Sequence, residues 1–314
     1  MAYAFTFPGQ GSQFVGMGKE LAENFGPARL VFEEVNEALQ QNLSRLMFEG
    51  PEEELRLTHN AQPALMAVSL AVVHCLKDMF DVTIFKHAKF VAGHSLGEYS
   101  ALAASDALTI TTTARLLKQR GQAMQRAVPV GEGAMAALLG LDLEAAQAVA
   151  AEAAQGEVCA AANDNAPGQV VVSGHKAAVE RAIEIAKGQG AKRAVLLPVS
   201  APFHCPLMQP AADEMAEALA AIELLPPVVP VISNVTAQPE RDAEKIRKLL
   251  VEQVTGMVRW RESVITMADN GVHTLVELGA GKVLTGLAKR IDERVNGVSI
   301  QSAADMEAFA KSLL

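Results

Sequence analysis

Short apolar runs alternate with longer amphipathic ones along the chain, the pattern of strands separated by helices in an α/β protein. Tyr3–Phe7 predicts a buried first strand closed by Pro8 and Gly9. Helical segments follow as far as Phe80. The longest begins near Pro63 (ALMAVSLAVVHCLKDMF) and is apolar on most sides, which puts it at the centre of the molecule. Lys89–Ala92 predicts a second strand that ends abruptly at Gly93-His94-Ser95-Leu96-Gly97. Helices are then expected from about Leu96 to Ala104 and from Ile110 to Ala127.

The texture changes near Gly131. Ala134–Leu139, Val158–Ala162, Gln169–Val172 and Arg193–Val199 read as strands. An Ala-rich helix capped by Asp142 and stopped at Gly156 separates the first two, and a helix over His175–Lys187 separates the last two. The order β-α-β-β-α-β is a ferredoxin-like signature. Residues 131–197 are therefore expected to form a small subdomain inserted into a larger core made of residues 1–130 and 198–314. That core resumes with a helix over Pro206–Ala221, a strand over Val228–Ile232 and two helices around Gly256. A strand over His273–Leu278, a helix from Lys282, a strand near Val298 and a terminal helix complete it.

Composition narrows the functional classes. Half of the 314 residues are hydrophobic while aromatics are 4%, so Ala, Val, Leu and Met must fill a sizeable core. The net charge of −9 and the lack of a basic stripe argue against nucleic acid as a partner. Three cysteines, Cys75, Cys159 and Cys205, leave one over after any pairing, which fits a reducing compartment. The N-terminus has no signal-peptide layout, and the best apolar stretch, Ala64–Val73, is shorter than the ~20 residues that span a bilayer. The expectation is a cytoplasmic protein with no membrane partner.

The strongest local signal for chemistry is Gly93-His94-Ser95-Leu96-Gly97, a G-x-S-x-G pentapeptide between a strand and a helix. Glycines on both sides of the serine permit a tight turn that leaves its hydroxyl exposed, and the following helix aims free N–H groups at the site. Among seven histidines, His94 sits beside the serine and should point elsewhere. His204, in Ser200-Ala201-Pro202-Phe203-His204-Cys205, follows a strand, where α/β folds place functional groups. On local grounds His204 reads equally as a base or as a structural residue. Cys205 has no elbow around it and reads as a small buried thiol. The loop Pro8-Gly9-Gln10-Gly11-Ser12-Gln13 could present N–H groups to an oxyanion or be a plain turn; it lacks the third glycine of a dinucleotide fingerprint. Gly279-Ala280-Gly281-Lys282-Val283 fails as a Walker A motif. No zinc-site spacing occurs, so no metal is expected. Arg115, Lys118, Arg120 and Arg126 lie along one helix and Lys192-Arg193 precede a strand. Most such charges are simply solvated, but an arginine turned into a serine site would select acyl groups carrying a carboxylate.

Taken together, these segments resemble the malonyl-CoA:acyl-carrier-protein transacylase family over essentially the whole chain. The resemblance is carried by FPGQGSQ at Phe7–Gln13, GHSLGE at Gly93–Glu98, KQRGQAMQ at Lys118–Gln125 and PGQVVVSG at Pro167–Gly174. VSAPFH at Val199–His204, VRW at Val258–Trp260 and GKVLTGL at Gly281–Leu287 complete it. The chain departs from the family pattern at Thr255-Gly256-Met257, where a proline is usual, and at Ala280. The resemblance implies an α/β-hydrolase-like core with an inserted ferredoxin-like subdomain. It also implies an acyltransferase that serves fatty acid synthesis, with malonyl-CoA and acyl carrier protein as partners and no cofactor. Ser95 would be the nucleophile, His204 the general base and Gln253 the residue whose carbonyl orients it. Gln10 and Leu96 would supply the oxyanion-hole N–H groups, Arg120 would bind the malonyl carboxylate, and Phe203 would exclude an α-methyl branch. Lys192 and Arg193 would help hold coenzyme A. A serine esterase or thioesterase, and a non-catalytic carrier-protein binding module, are the alternatives.

Overall fold

Ten strands divide between two sheets in the computed structural model, which describes residues 2–313. In chain order they are β1 (Tyr3–Phe7), β2 (Ala88–Gly93), β3 (Gly133–Leu139), β4 (Cys159–Ala166) and β5 (Gln169–His175). The rest are β6 (Arg193–Leu196), β7 (Val231–Ile232), β8 (Pro239–Glu240), β9 (Thr274–Leu278) and β10 (Asn296–Ile300). The larger sheet has the order β10-β9-β1-β2-β7-β8 and is parallel except for its edge strand β8. The smaller is antiparallel, with the order β4-β5-β3-β6.

Period-two alternation sorts the strand side chains between layers. In the large sheet Phe5, Phe7, Val91 and Val276 enter the main core, while Ala4, Phe90, Ala92 and Leu275 enter a second core around the fully buried Trp260. In β5 of the small sheet, Val170 and Val172 pack with the helices Leu143–Ala154 and Lys176–Gly188, whereas Val171 between them joins the main core. One valine run therefore glues the small layer to the large one. The junction is reinforced where Val258 donates to the Ala162 carbonyl at 2.8 Å and Asp164 donates to the Val258 carbonyl at 2.9 Å. The Asp164 carboxylate, 1% exposed, also pairs with Arg261 at 2.8 Å.

Several expectations shift in detail. The central helix runs from Thr58 to Phe80, five residues longer at its start than the pattern suggests, with Pro63 inside it. Among the described residues it is the one helix long and apolar enough to cross a membrane, yet 67% of its most apolar window is buried in the main core. The strand expected over Val228–Ile232 keeps only Val231 and Ile232, because Pro226, Pro227 and Pro230 lack the N–H that a ladder needs. β6 stops at Leu196, just before Pro198. β4 and β5 each run longer than expected, and Asp142 caps its helix by accepting from the Ala145 N–H.

Candidate active site

All strands of the parallel set point the same way, so their C-terminal ends share one edge, where α/β folds bind ligands. Three segments leaving that edge, and a fourth from the small layer, build the site. β1 ends in the Gly9–Gln13 loop, β2 in the Ser95 turn and β7 in Ser233-Asn234, while the His204 loop follows β6 from the small layer. Between the layers lies a cleft of about 370 Å³ lined by Gln10, Ser95, Leu96, Arg120, Phe203 and His204 from the large layer's side. Met135, Asn163 and Leu197–Val199 form the opposite wall.

Ser95 adopts φ 54, a left-handed backbone that an L residue takes up only when its surroundings impose it. Both elbow glycines are sterically required. A Cβ on Gly93 would lie 1.9 Å from the Gly97 carbonyl, and one on Gly97 would lie 2.3 Å from the Phe7 carbonyl. Asn234 clamps the turn from outside: its side-chain oxygen accepts from the Ser95 N–H at 2.7 Å and its amide donates to the Gly93 carbonyl at 2.7 Å.

His204 Nε2 is 2.8 Å from Ser95 Oγ. Its Nδ1 faces two backbone carbonyls, Gln253 at 2.8 Å and Gly256 at 3.1 Å, so Nδ1 carries the proton and Nε2 presents a lone pair to the serine hydroxyl. The atypical Thr255-Gly256 turn thus supplies the second of these carbonyls. Burial, together with the positive charge of Arg120, drives the imidazole down to about 3, leaving it neutral and ready to accept a proton. The Gln253 contact is made by its backbone; its side chain turns elsewhere.

Arg120 comes from the Ile110–Ala127 helix, which can lie close against the central helix because Gly121 has no Cβ to strike His59. Its guanidinium is 1% exposed. Nη1 donates to Gln62 Oε1 at 2.7 Å, and Nη2 donates to Gln253 Oε1 at 2.8 Å and to Ser95 Oγ at 3.2 Å. Nε has no partner, and among the described residues no carboxylate forms an ion pair with Arg120. The other cations of that helix face away: Arg115 and Lys118 bond to neighbouring carbonyl oxygens, and Arg126 pairs with Glu214.

Gln10 and Leu96 line the cleft together with Ser95, and the backbone N–H of neither donates to another group among the described residues. The Gln10 side chain is anchored, accepting from Thr58 Oγ1 at 2.8 Å. His94 reaches the cleft wall, but its Nε2 is taken up by Asn165 Oδ1 at 2.8 Å and its ring leans on Trp260. Cys205 is a buried thiol that donates to the Pro202 carbonyl, and burial raises its pKa.

Ser95, His204, Gln253, Gln10, Leu96, Arg120 and Phe203 therefore converge. Lys192 and Arg193 do not join them. They are exposed at the start of β6, whose other end leads into the cleft wall at Leu197, roughly 16 Å away at ~3.3 Å per extended residue. Sequence reasoning missed Asn234, Gln62 and Glu98, a buried carboxylate that accepts from the Gln253 side-chain amide and the Asn234 N–H. Glu98 lies in the recognised GHSLGE stretch, whereas nothing local marks Asn234, which gains meaning only because β7 pairs with β2.

An activated serine on a strand-to-helix elbow, with a neutral imidazole and free N–H groups beside it, can form and discharge a covalent acyl ester. The chain belongs to the acyl transferase domain family, which it matches over residues 4–307. It is similar to the malonyl CoA-acyl carrier protein transacylase of Bacillus subtilis (strain 168), with 46% identity over 311 residues, 99% of this chain and 96% of that protein. The crystal structure of acyl-carrier-protein-S-malonyltransferase from Bartonella henselae matches with a TM-score of 0.97 and 55% identity, covering 100% of this chain and 99% of that one. A malonyl-transacylase solved in complex with its type II PKS acyl-carrier protein matches with a TM-score of 0.96 and 43% identity, over 99% and 100% of the two chains.

Proposed function

We infer that this chain transfers the malonyl group of malonyl-CoA to the phosphopantetheine thiol of an acyl carrier protein through an ester on Ser95. The observation that carries this reading is Arg120: a buried guanidinium with no carboxylate partner, 3.2 Å from the nucleophile. A buried cation is costly without a counter-ion in direct contact, and Glu98, separated from Arg120 by the Gln253 side chain, offsets its charge only through space. An acyl group ending in a carboxylate supplies that ion and is oriented by the pairing.

In the first half-reaction Ser95 Oγ attacks the thioester carbon as its proton passes to His204 Nε2. The oxyanion is held by the N–H groups of Gln10 and Leu96. Collapse of the tetrahedral intermediate expels the coenzyme A sulfur, which takes the proton back from His204. The carrier-protein thiol then repeats these steps in reverse order and leaves with the malonyl group. Burial holds the His204 imidazole down and the Arg120 charge adds to it; a bound malonyl carboxylate offsets that second contribution, so the imidazole is a stronger base with malonate in place than with acetate. Phe203, 8% exposed, lines the cleft and adjoins the base in sequence, a position from which it would crowd an α-methyl branch. Lys192 and Arg193 stand too far along β6 for the acyl end, and only the nucleotide end of coenzyme A would reach them. The chemistry requires no cofactor.

The layers fit an α/β-hydrolase-like core, residues 1–130 and 198–314, with a ferredoxin-like insertion at 131–197. The small sheet's order, β4-β5-β3-β6, with both of its helices on one face, supports the second half of that assignment.

Intact-mass measurement after incubation with malonyl-CoA tests the activity. A single malonyl adduct is expected, absent in Ser95→Ala, and discharged by holo carrier protein. Release of coenzyme A without an adduct would indicate a hydrolase; neither adduct nor release would indicate a binding module. Arg120→Ala is expected to lower malonyl transfer roughly 10²-fold and to narrow the malonyl/acetyl ratio, since a charged hydrogen bond at a buried site is at stake. Arg120→Lys should restore little, because a point charge lacks the guanidinium fork.

A further inference from the structure

Glu98 is a buried carboxylate that the acyl-transfer steps do not use. It lies on the Gly97–Ala104 helix, 1% exposed, one turn beyond the nucleophile. A single oxygen, Oε2, accepts from the Gln253 side-chain amide at 2.7 Å and from the Asn234 N–H at 3.1 Å. The same Gln253 nitrogen is 3.0 Å from the Ser95 carbonyl and 3.4 Å from Asn234 Oδ1.

Three acceptors around one nitrogen fix which way that amide points. Its oxygen must then face outward, where it accepts from Arg120 Nη2 at 2.8 Å. Turned over, the amide would set oxygen against oxygen on one side and N–H against guanidinium N–H on the other. Of the three acceptors only Glu98 can carry a charge, and a charged acceptor holds a donor about twice as strongly as a neutral one.

We propose that Glu98 is a positioning residue for acyl-group selection: it orients the Gln253 amide, whose oxygen in turn aims Arg120 at the acyl carboxylate. This rests on the reading of Arg120 as the malonyl clamp. Burial pushes the Glu98 carboxyl up to about 7, opposed by the bonds from Gln253 and Asn234 and by the charge of Arg120, so each group that favours the ionised form belongs to this network. The base is secured separately, because His204 is held by the backbone carbonyls of Gln253 and Gly256. Loss of Glu98 should therefore fall on recognition of malonate more than on the acyl-transfer step.

The test is carrier-protein acylation from malonyl-CoA and from acetyl-CoA by wild type, Glu98→Gln, Glu98→Met, Gln253→Met and the Glu98→Met/Gln253→Met double variant. Glu98→Met should lower the malonyl/acetyl ratio of kcat/KM roughly tenfold or more, mainly through the malonyl-CoA KM. Glu98→Gln, which keeps a neutral acceptor, should fall between it and wild type. The double variant should lose no more selectivity than Gln253→Met alone. Equal losses with both substrates, or selectivity losses that multiply in the double variant, would overturn the proposal. If Glu98→Met does not fold, Glu98→Gln and Gln253→Met, singly and combined, make the same comparison. A wild type that shows no malonyl preference would overturn the underlying reading of Arg120, whereas a malonyl-selective wild type with unaltered variants would overturn only the role of Glu98.

Discussion

His204 and Glu98 lie within one hydrogen-bonded network, yet burial moves them in opposite directions along the pH axis. The imidazole falls from its ordinary 6.5 to about 3, while the carboxyl rises from 4.5 to about 7. As pH drops below 6.5 the unfolded chain protonates its histidine and the folded one does not, so His204 makes the fold less stable all the way down to about 3. Between about 7 and 4.5 the folded chain takes up a proton on Glu98 that the unfolded chain does not, so Glu98 makes it more stable as pH falls. The two slopes oppose each other between 4.5 and 6.5. Below 4.5 only that of His204 continues. A urea-denaturation series across pH should show the wild type losing stability relative to His204→Gln as pH falls from 6.5 toward 3, with Glu98 common to both. A difference that stays flat would mean that His204 is not held neutral.

At the scale of elements, Ser95 is presented to the cleft because a strand and a helix meet more closely than side chains permit. Gly97 lets the first turn of its helix rest on the β1 backbone, and Gly93 lets β2 pass under that turn. Gly97→Ala places a methyl 2.3 Å from the Phe7 carbonyl and 3.0 Å from the Pro8 carbonyl, backbone atoms that cannot swing aside. The helix must move, carrying Leu96 and Ser95 with it. We expect a loss of about 1–3 kcal/mol in unfolding free energy, typical of overpacking, and a far larger proportional loss of adduct formation, because the elbow sets the attack geometry. Thermal denaturation and intact mass on the same variant separate the two effects. An active, merely less stable Gly97→Ala would show that the elbow tolerates displacement.

Across the whole molecule the cleft exists because two sheets are held at a fixed separation. Val171 and Met135 bury one face of the small sheet in the main core, and Asp164 with Arg261 pins its rim. Asp164 is nearly inaccessible while Arg261 is 28% exposed, so removing the arginine strands an acid that water reaches poorly. Arg261→Ala should destabilise the protein by about 1–3 kcal/mol. It should also raise the malonyl-CoA KM, since Asn163, next to the pair, lines the cleft. An unchanged KM with lowered stability would mean that the pair supports the fold without setting the cleft. Urea denaturation and steady-state kinetics give both readings.

Much of this was legible in the chain. Period-two and helical apolar patterns depend on local geometry, so the strands around the elbow and the β-α-β-β-α-β run could be read directly, as could the elbow itself, whose glycines are required by adjacent backbone. Sequence similarity extended the reading to His204 and Arg120, which lie 109 and 25 residues from the serine they meet. Other features belong only to the tertiary structure. Asn234 and Gln62 look like ordinary polar residues until β7 lies beside β2 and the central helix beside that of Arg120. The outward turn of the Gln253 amide follows from three acceptors drawn from separate segments, and the withdrawal of Lys192 and Arg193 follows from the direction in which β6 runs. Local pattern decides which elements form and which residue can be a nucleophile. The pKa of a base, the partners of a buried charge and the width of a cleft are sums over neighbours far apart in the chain, and only the folded packing supplies them.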